Sequence, residues 1–268
     1  MTPRQVAVNA LLANKPERVG RIVLAGICGS DAHGTKLPTG HKFATDDIDT
    51  FGVSVQPEEW YLGLDGYSGN LRRLTWETGG DDNDHCVHDV RKFFALLSKG
   101  NPNVHNWLWA DPEDIVHTTM AGRLILLNRA LFLSRHCFAA LAGYAHAQLH
   151  KMDRKRYAGY MGEKRRVIVD EVGYDVKHAA HCIRLLKMGI ELARERTLMT
   201  RRPTEEATML KEIKAGDWPY RRTRAYADDL FCRFRDAEKL SDLPDDVDYS
   251  RINALLVQVI RLSNCEVA

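Results

Sequence analysis

Hydrophobic and polar positions divide the chain into a strand-rich first part and a helical second part. A Thr2-Pro3 start predicts a helix that runs to about Asn14. Short, bounded apolar runs, several of them β-branched, then predict four strands, at residues 21–28, 48–55, 73–78 and 85–90. From Arg91 onward the apolar residues recur at helical spacing and no further strand is evident. The pattern predicts an α+β fold, with a small mixed sheet followed by a helical bundle.

Turn and loop residues divide the helical part into separate predicted helices. Residues 124–149 predict an alanine-rich helix pair, and further helices are predicted near residues 173–196, 204–215, 220–240 and 249–262. A glycine-containing stretch of mixed charge, residues 151–166, predicts a loop between two parts of the molecule. We assign residues 1–110 to a catalytic domain and residues 111–268 to a helical domain.

Composition narrows the class of protein. A chain of 268 residues with 44% hydrophobic residues can bury a core, and a net charge of +2 does not by itself demand a polyanionic partner. The six cysteines are dispersed without a CxxC pair, which argues against a zinc ribbon and a small disulfide scaffold. The longest apolar stretch, residues 124–133, is interrupted by Asn128 and Arg129, so we expect a cytoplasmic protein without a membrane partner.

Candidate chemistry lies at the ends of the first two predicted strands. Gly29-Ser30 follows the first strand, and Asp47 and Asp49 open the second. Alternate residues of a strand share a face, so these two carboxylates are expected a few ångströms apart, with Ile48 directed into the core. Two like charges this close repel, and a hard cation such as Mg²⁺ relieves the repulsion. We predict a site for two Mg²⁺ ions, with Mn²⁺ as an alternative, beside a turn that accepts a triphosphate.

A third carboxylate normally completes such a site. Asp84, at the start of the fourth predicted strand, is the first choice, and Glu77 and Asp89 are the alternatives. The predicted catalytic residues and metal ligands are therefore Asp47, Asp49 and Asp84.

Two competing patterns are weaker. His85, His88 and Asp89 resemble a zinc cluster, but alternation puts His88 on the strand face opposite to His85 and Asp89. Arg129 and His136 have the loose spacing of a metal-independent HEPN ribonuclease, a pattern that a buried arginine-histidine pair also produces.

Several blocks of the sequence, in a fixed order, resemble one known family. They are Gly29-Ser30 with His33-Gly34-Thr35, Asp47-Ile48-Asp49 with Gly52, Tyr61-Leu62-Gly63-Leu64, Asp84 with Val90-Arg91-Lys92-Phe93, Gly100-Asn101-Pro102-Asn103, and Lys177-His178 with His181 and Arg184. The chain is similar to the polymerase-β-type nucleotidyltransferases associated with RNA ligases and RNA repair, the YcgL or RlaP family. The resemblance implies that Gly29 and Ser30 contact nucleotide phosphates and that Asp47, Asp49 and Asp84 bind Mg²⁺.

The chain also departs from the family's pattern. The segment between Ser30 and Asp47 is longer than the usual loop, Asp46 stands where a serine is common, and Asn106 replaces an acidic residue. These departures bear on the role of the loop and on the exact substrate.

The last block has a physical interpretation of its own. Lys177, His178, His181 and Arg184 recur at three- and four-residue intervals and form a basic stripe on a predicted helix. We expect Lys177, His178 and Arg184 to bind the nucleotide's triphosphate. The alternative is a solvated helix face with a histidine packed in the core.

Three basic clusters suggest RNA as the acceptor. They are residues 151–166, Arg201-Arg202, and Arg221-Arg222 with Trp218, Tyr220 and Tyr226. Ordinary surface charge is the competing explanation for each. The predicted function is transfer of a nucleoside monophosphate from an NTP to the 3′ end of an RNA such as tRNA. A protein hydroxyl as acceptor, as in toxin-antitoxin systems, and a non-catalytic RNA-binding partner of an RNA ligase are the alternatives.

Overall fold

Five strands form one mixed sheet. The computed structural model describes residues 1–44, 47–63, 75–78, 84–153 and 163–266. For residues 163–165 it describes the backbone alone. The strands are β1 Arg21–Ile27, β2 Thr50–Val55, β3 Thr75–Thr78, β4 His85–Asp89 and β5 Ile115–Thr118. Their order is β3-β4-β2-β1-β5, and β2 pairs with β4 in parallel while the other pairs are antiparallel. The mixed sheet of the predicted α+β fold is confirmed.

Helices flank the sheet and account for most of the other described residues. They are α1 Pro3–Asn14, α2 Gly29–Ala32, α3 Glu58–Leu62, α4 Val90–Ser98, α5 Pro102–Leu108, α6 Met120–Leu127, α7 His136–Asp153, α8 Glu163–Val172, α9 Val176–Glu195, α10 Thr204–Ala215, α11 Tyr220–Lys239 and α12 Tyr249–Cys265. The first helix begins where the sequence predicts, because Thr2 and Gln5 form a reciprocal capping box and Pro3 occupies the first turn. No helix in the described ranges is long and apolar enough to cross a membrane.

Three predictions about elements were wrong. Strand β5 follows Arg91, although no strand was expected there; it has four residues, all only partly buried, so its apolar signal is weak. Strand β2 begins at Thr50 rather than at residue 48. The predicted loop at 151–166 contains the end of α7 and the start of α8, while its residues 154–162, like residues 73–74 of the third predicted strand, lie outside the described ranges.

The two faces of the sheet bury separate hydrophobic clusters. Helix α1 covers one face, where Val8 and Leu11 pack with Ile22 and Ala25 of β1. Val23 and Leu24 belong instead to the large core shared with the helices, and a register irregularity between Ile22 and Leu24 explains why two successive residues face the same way. The sheet therefore lies between α1 and the helical bundle, and β1 is buried on both sides.

Helix α9 is the centre of the bundle. It contacts α7, α10 and α11, and twelve of its twenty residues are buried. Gly189 lies against the buried ring of Phe234 on α11, and a Cβ at this position would overlap that ring. The close approach of α9 and α11 therefore depends on a residue without a side chain.

Replacing Gly189 by alanine is expected to destabilise the bundle by about 1–3 kcal/mol, because the buried Phe234 ring must move to admit a methyl group. Gly143→Ala is the matched control, since Gly143 is an exposed glycine within α7 with open space around it. That control is expected to gain about 0.5–1 kcal/mol from helix propensity. Urea unfolding measures both changes, and equal effects of the two substitutions would contradict the packing described.

Candidate functional site

Three carboxylates meet at one edge of the sheet. Asp49 directly precedes β2 and Asp84 directly precedes β4, and these parallel strands are in register with Thr50 opposite His85. Parallel strands start at the same edge, so the two carboxylates lie side by side. Asp47 joins them, and one oxygen from each of the three residues lies within 4.8 Å of the others.

Backbone hydrogen bonds hold this edge together. The Cys28 amide donates to the Asp49 carbonyl at 2.9 Å, and the Thr50 amide donates to the Asp84 carbonyl at 2.9 Å. The hydrogen-bonded order of the sheet thus continues by one residue beyond the strands themselves. Ile48, between the two aspartates, packs against the core beneath α1, as its position in the sequence predicts.

The Gly29-Ser30 turn stands against the carboxylates. Gly29 has a φ of +66°, a conformation that favours glycine, and a Cβ there would overlap the Asp49 carboxylate. Ser30 follows in the short helix α2, and its hydroxyl makes no hydrogen bond to any residue that the structure describes. The turn therefore offers a hydroxyl and a bare backbone close to the acidic cluster.

Burial and nearby negative charge both raise the pKa of the Asp49 carboxyl group. Burial, followed by repulsion from Asp47, raises the pKa of Asp49 to about 6, and Asp84 and Asp31 add to the rise. Lys177 of α9 opposes it. Since Lys177 acts on this carboxylate, the N-terminal part of α9 lies near the acidic edge of the sheet.

The positions of the three candidates for the third carboxylate distinguish Asp84 from Glu77 and Asp89. Glu77 lies on β3 and accepts a 3.7 Å contact from the thiol of Cys86. Asp89 lies at the far end of β4, where it caps α4 through the amide of Arg91 and accepts a 2.7 Å hydrogen bond from Tyr61. Of the three candidates Asp84, Glu77 and Asp89, Asp84 is the one whose carboxylate lies next to those of Asp47 and Asp49.

Only part of the basic stripe on α9 is exposed to solvent. Lys177 is exposed, His181 is half-buried and Arg184 is buried, so these residues pass from the surface into the interior. His178 turns toward α7, where its Nδ1 lies 2.5 Å from Oε1 of Gln148. Lys177 and Arg184 thus remain candidates for an anionic ligand, whereas His178 contacts a neighbouring helix.

Ion pairs occupy one of the predicted RNA-contacting clusters. Arg201 pairs with Asp111, Glu113 and Asp114, and Arg202 is buried between Glu191 and Glu206. These ion pairs engage both arginines within the fold, so contact of Arg201-Arg202 with RNA stays a prediction that this geometry does not favour. The pairs also explain the second acidic group of the described chain, Asp111, Glu113 and Asp114, since Arg4 and Arg201 supply its counter-charges.

The two arginines of the Arg221-Arg222 cluster are exposed, but Trp218 of the same cluster is not. Trp218 is buried and donates to Glu212, and Tyr220 donates to Asp153. Arg222 stacks on Trp218. Phosphate contact by the two arginines is compatible with this geometry, while base stacking on Trp218 is not.

Neither competing pattern forms a site. His85 and His88 contact the hydroxyls of Thr50 and Thr75 at 2.6 and 3.1 Å. Neither histidine belongs to a group of metal-ligating atoms within the described residues. Arg129 contacts the Leu108 carbonyl and the Trp109 ring, and His136 contacts Asp246, so the pair expected of a HEPN nuclease is not formed.

Sequence comparison agrees with this geometry. A family model described as "RlaP: RNA repair pathway DNA polymerase beta family" matches residues 4–258. This confirms the resemblance drawn from the motifs. No match was found among curated proteins.

Replacing Asp49 by asparagine is expected to stabilise the metal-free protein, because the change removes one of three repelling charges. The raised pKa corresponds to about 1–2 kcal/mol once partial solvent screening is allowed for, or a rise in Tm of about 2–6 °C. The cost exists where Asp49 is ionised, so the difference between the two proteins shrinks as the pH falls below about 6. Thermal melts in EDTA measure the effect.

Repeating these thermal melts with added Mg²⁺ tests whether Asp49 helps to bind the cation. The unmodified protein is expected to gain stability by binding the cation, and Asp49→Asn is expected to gain less. Glu77→Gln, an exposed carboxylate outside the cluster, is the control and should behave as the unmodified protein does. Equal responses of all three proteins would remove Asp49 from the cation site.

Proposed function

Because the chain belongs to the RNA repair pathway DNA polymerase beta family, we propose that it is a magnesium-dependent nucleotidyltransferase acting on RNA. It transfers a nucleoside monophosphate from an NTP to a hydroxyl at an RNA 3′ end, such as that of a tRNA. The observation that carries the proposal is the meeting of Asp47, Asp49 and Asp84 beside the Gly29-Ser30 turn.

The donor set fits Mg²⁺. All three residues offer carboxylate oxygens, which hard cations prefer, and the raised pKa of Asp49 reflects burial and a charge that a cation would neutralise. Asp47, Asp49 and Asp84 would hold two ions, and Mn²⁺ would suit the same ligands. When bound, such ions lower the pKa of an attacking hydroxyl and stabilise the leaving pyrophosphate.

The protein's own groups would position the reactants. Gly29 lets a phosphate approach the backbone, and the uncommitted Ser30 hydroxyl can donate to a phosphate oxygen. Lys177 adds positive charge near the carboxylates. In the reaction, the acceptor oxygen bonds to the α-phosphorus, and the bond from that phosphorus to the bridging oxygen breaks, releasing pyrophosphate.

RNA would approach through exposed cations near the helical part. Arg221 is exposed and has no ion-pair partner among the described residues. Arg222 is exposed beside it. An RNA ligase acting on the same substrate is the partner that the family's association with RNA repair suggests.

A labelling experiment tests the function directly. The protein is incubated with each α-labelled NTP, Mg²⁺ and total RNA, and the labelled macromolecule is identified. Label is expected on RNA 3′ ends with the unmodified protein and absent with Asp49→Asn. Label on a protein instead would overturn the proposed acceptor, and no transfer from any NTP would overturn the proposed reaction.

Among single carboxylate changes, Asp84→Ala is expected to lower the transfer rate by at least about a hundredfold, because it removes one ligand of the cation site. Glu77→Ala is the matched control on the adjoining strand and should leave the rate within about twofold. Initial rates at saturating and limiting Mg²⁺ measure the effect, and a larger loss at limiting Mg²⁺ is expected for Asp84→Ala only. The reverse ranking would contradict the assigned ligand set.

Removing the charge of Lys177 is expected to weaken NTP binding about ten- to hundredfold, the loss of one charge-assisted contact worth roughly 1.5–3 kcal/mol. RNA binding should change little. Arg221→Ala is expected to show the opposite pattern, with weaker RNA binding and unchanged NTP affinity. Titration calorimetry with NTP and a single-stranded RNA measures both, and weaker RNA binding alone in Lys177→Ala would move this residue to the acceptor side.

A further inference from the structure

Helix α10 reaches the phosphate-binding turn through one lysine. The ammonium of Lys214 donates a 2.7 Å hydrogen bond to the Thr35 carbonyl. The Thr35 amide in turn donates to the Ser30 carbonyl at 2.9 Å. Lys214 is therefore attached to the segment that closes behind Gly29-Ser30, although 184 positions separate it from Ser30 in the sequence.

A second cation, Arg184 of α9, is buried. Its Nη1 contacts the Met188 sulfur at 3.3 Å, and no carboxylate in the described part of the chain pairs with it. Arg202 is equally buried but has Glu191 and Glu206 as counter-ions. Burial, with repulsion from Arg202 second, lowers the pKa of Arg184 to about 9. An unpaired buried guanidinium is costly and calls for an anion.

These cations lie close enough to repel one another. Burial, then Lys177, then Arg184, lowers the pKa of Lys214 to about 8. Asp31 opposes the shift and Lys211 adds to it. Arg184 also lowers the pKa of His33, after burial, which places its charge beside the segment that Lys214 contacts. Positive charge thus gathers beside the segment that follows the phosphate-binding turn.

We propose that Lys214 and Arg184 bind the terminal phosphate of the NTP, so that the protein selects triphosphates over diphosphates. The proposal rests on the nucleotidyl transfer proposed above and adds a residue on α10 to the site. Lys214 is held next to the Ser30–Thr35 segment by its hydrogen bond to the Thr35 carbonyl, and Lys177, whose charge acts on Asp49, also acts on Lys214. A chain of three phosphates that begins at the carboxylates and Ser30 would bring its terminal negative charge to these cations.

The test uses inorganic tripolyphosphate as the probe, so it needs neither a nucleoside nor turnover. Lys214→Met keeps the length and helix propensity of the side chain and removes its charge. Its affinity for tripolyphosphate with Mg²⁺ is expected to fall about ten- to hundredfold in titration calorimetry. Lys239→Met, an exposed lysine at the C-terminal end of α11, is the control and should bind as the unmodified protein does.

A nucleotide arm tests the selectivity. The ratio of the ADP to the ATP dissociation constant is expected to exceed about ten in the unmodified protein and in Lys239→Met, and to approach one in Lys214→Met. Unchanged tripolyphosphate affinity in Lys214→Met would overturn the proposal, as would failure of the unmodified protein to bind the probe. Weaker binding of single-stranded RNA with intact tripolyphosphate affinity would assign Lys214 to the acceptor instead.

The pH dependence of the unmodified protein keeps the proposal testable if Lys214→Met does not fold. Lys214 carries its charge below a pKa of about 8 and loses it above. The charged groups that face it are Lys177 and Arg184 of α9, Asp31 of α2 and Lys211 of α10. Tripolyphosphate affinity is expected to fall as the pH rises from 7 to 9, and a rising affinity would contradict the role of Lys214. Because the probe binds without transfer, failure of the labelling experiment leaves this result interpretable.

Discussion

Mutual repulsion among Asp47, Asp49 and Asp84 is the constraint around which the molecule is arranged. Three carboxylates with oxygens within 4.8 Å of one another are unfavourable, and the pKa of Asp49 is raised first by burial and then by repulsion from these neighbours. Backbone hydrogen bonds of the sheet fix the chain at Asp49 and Asp84, and the Lys36 ammonium donates to the Asp47 carbonyl at 2.9 Å. Lys177 supplies part of the missing positive charge, and a bound cation would supply the rest.

The helical part completes the site from the other direction. Thr200 and Arg202 form hydrogen bonds with His33, and Lys214 forms one with Thr35, so the segment after Gly29-Ser30 is held between the sheet and the bundle. The turn that would receive a phosphate is therefore shaped by residues from both halves of the chain. This dependence gives the bundle a part in positioning the site besides its part in stability.

Local order in the sequence was enough to predict the acidic edge. Gly29-Ser30 follows one short apolar run, and the aspartates directly precede two others. Pairing of the corresponding strands brings these residues together at one edge of the sheet. Strand β5 was missed because its four half-buried residues carry little apolar signal. Lys214 was missed for a different reason: nothing in its own helix distinguishes it from Lys211, and its contact with Thr35 exists only in the folded chain. Arg201-Arg202 was interpreted as an RNA-contacting cluster because the sequence does not show the ion pairs, in particular those of Arg201 with Asp111 and Asp114 in a distant part of the chain.

Strand β5 has a consequence for any attempt to divide the protein. It pairs with β1 along Leu24–Gly26 and brings Asp114 to Arg4 of α1. A fragment that stops at residue 110 would lose both, and β1, which lies between β2 and β5, would become the rim of the sheet, with unpaired amides and carbonyls facing water. Such a rim is a template for another chain. Residues 1–110 expressed alone would therefore be prone to self-association, and the short fifth strand protects the sheet from it.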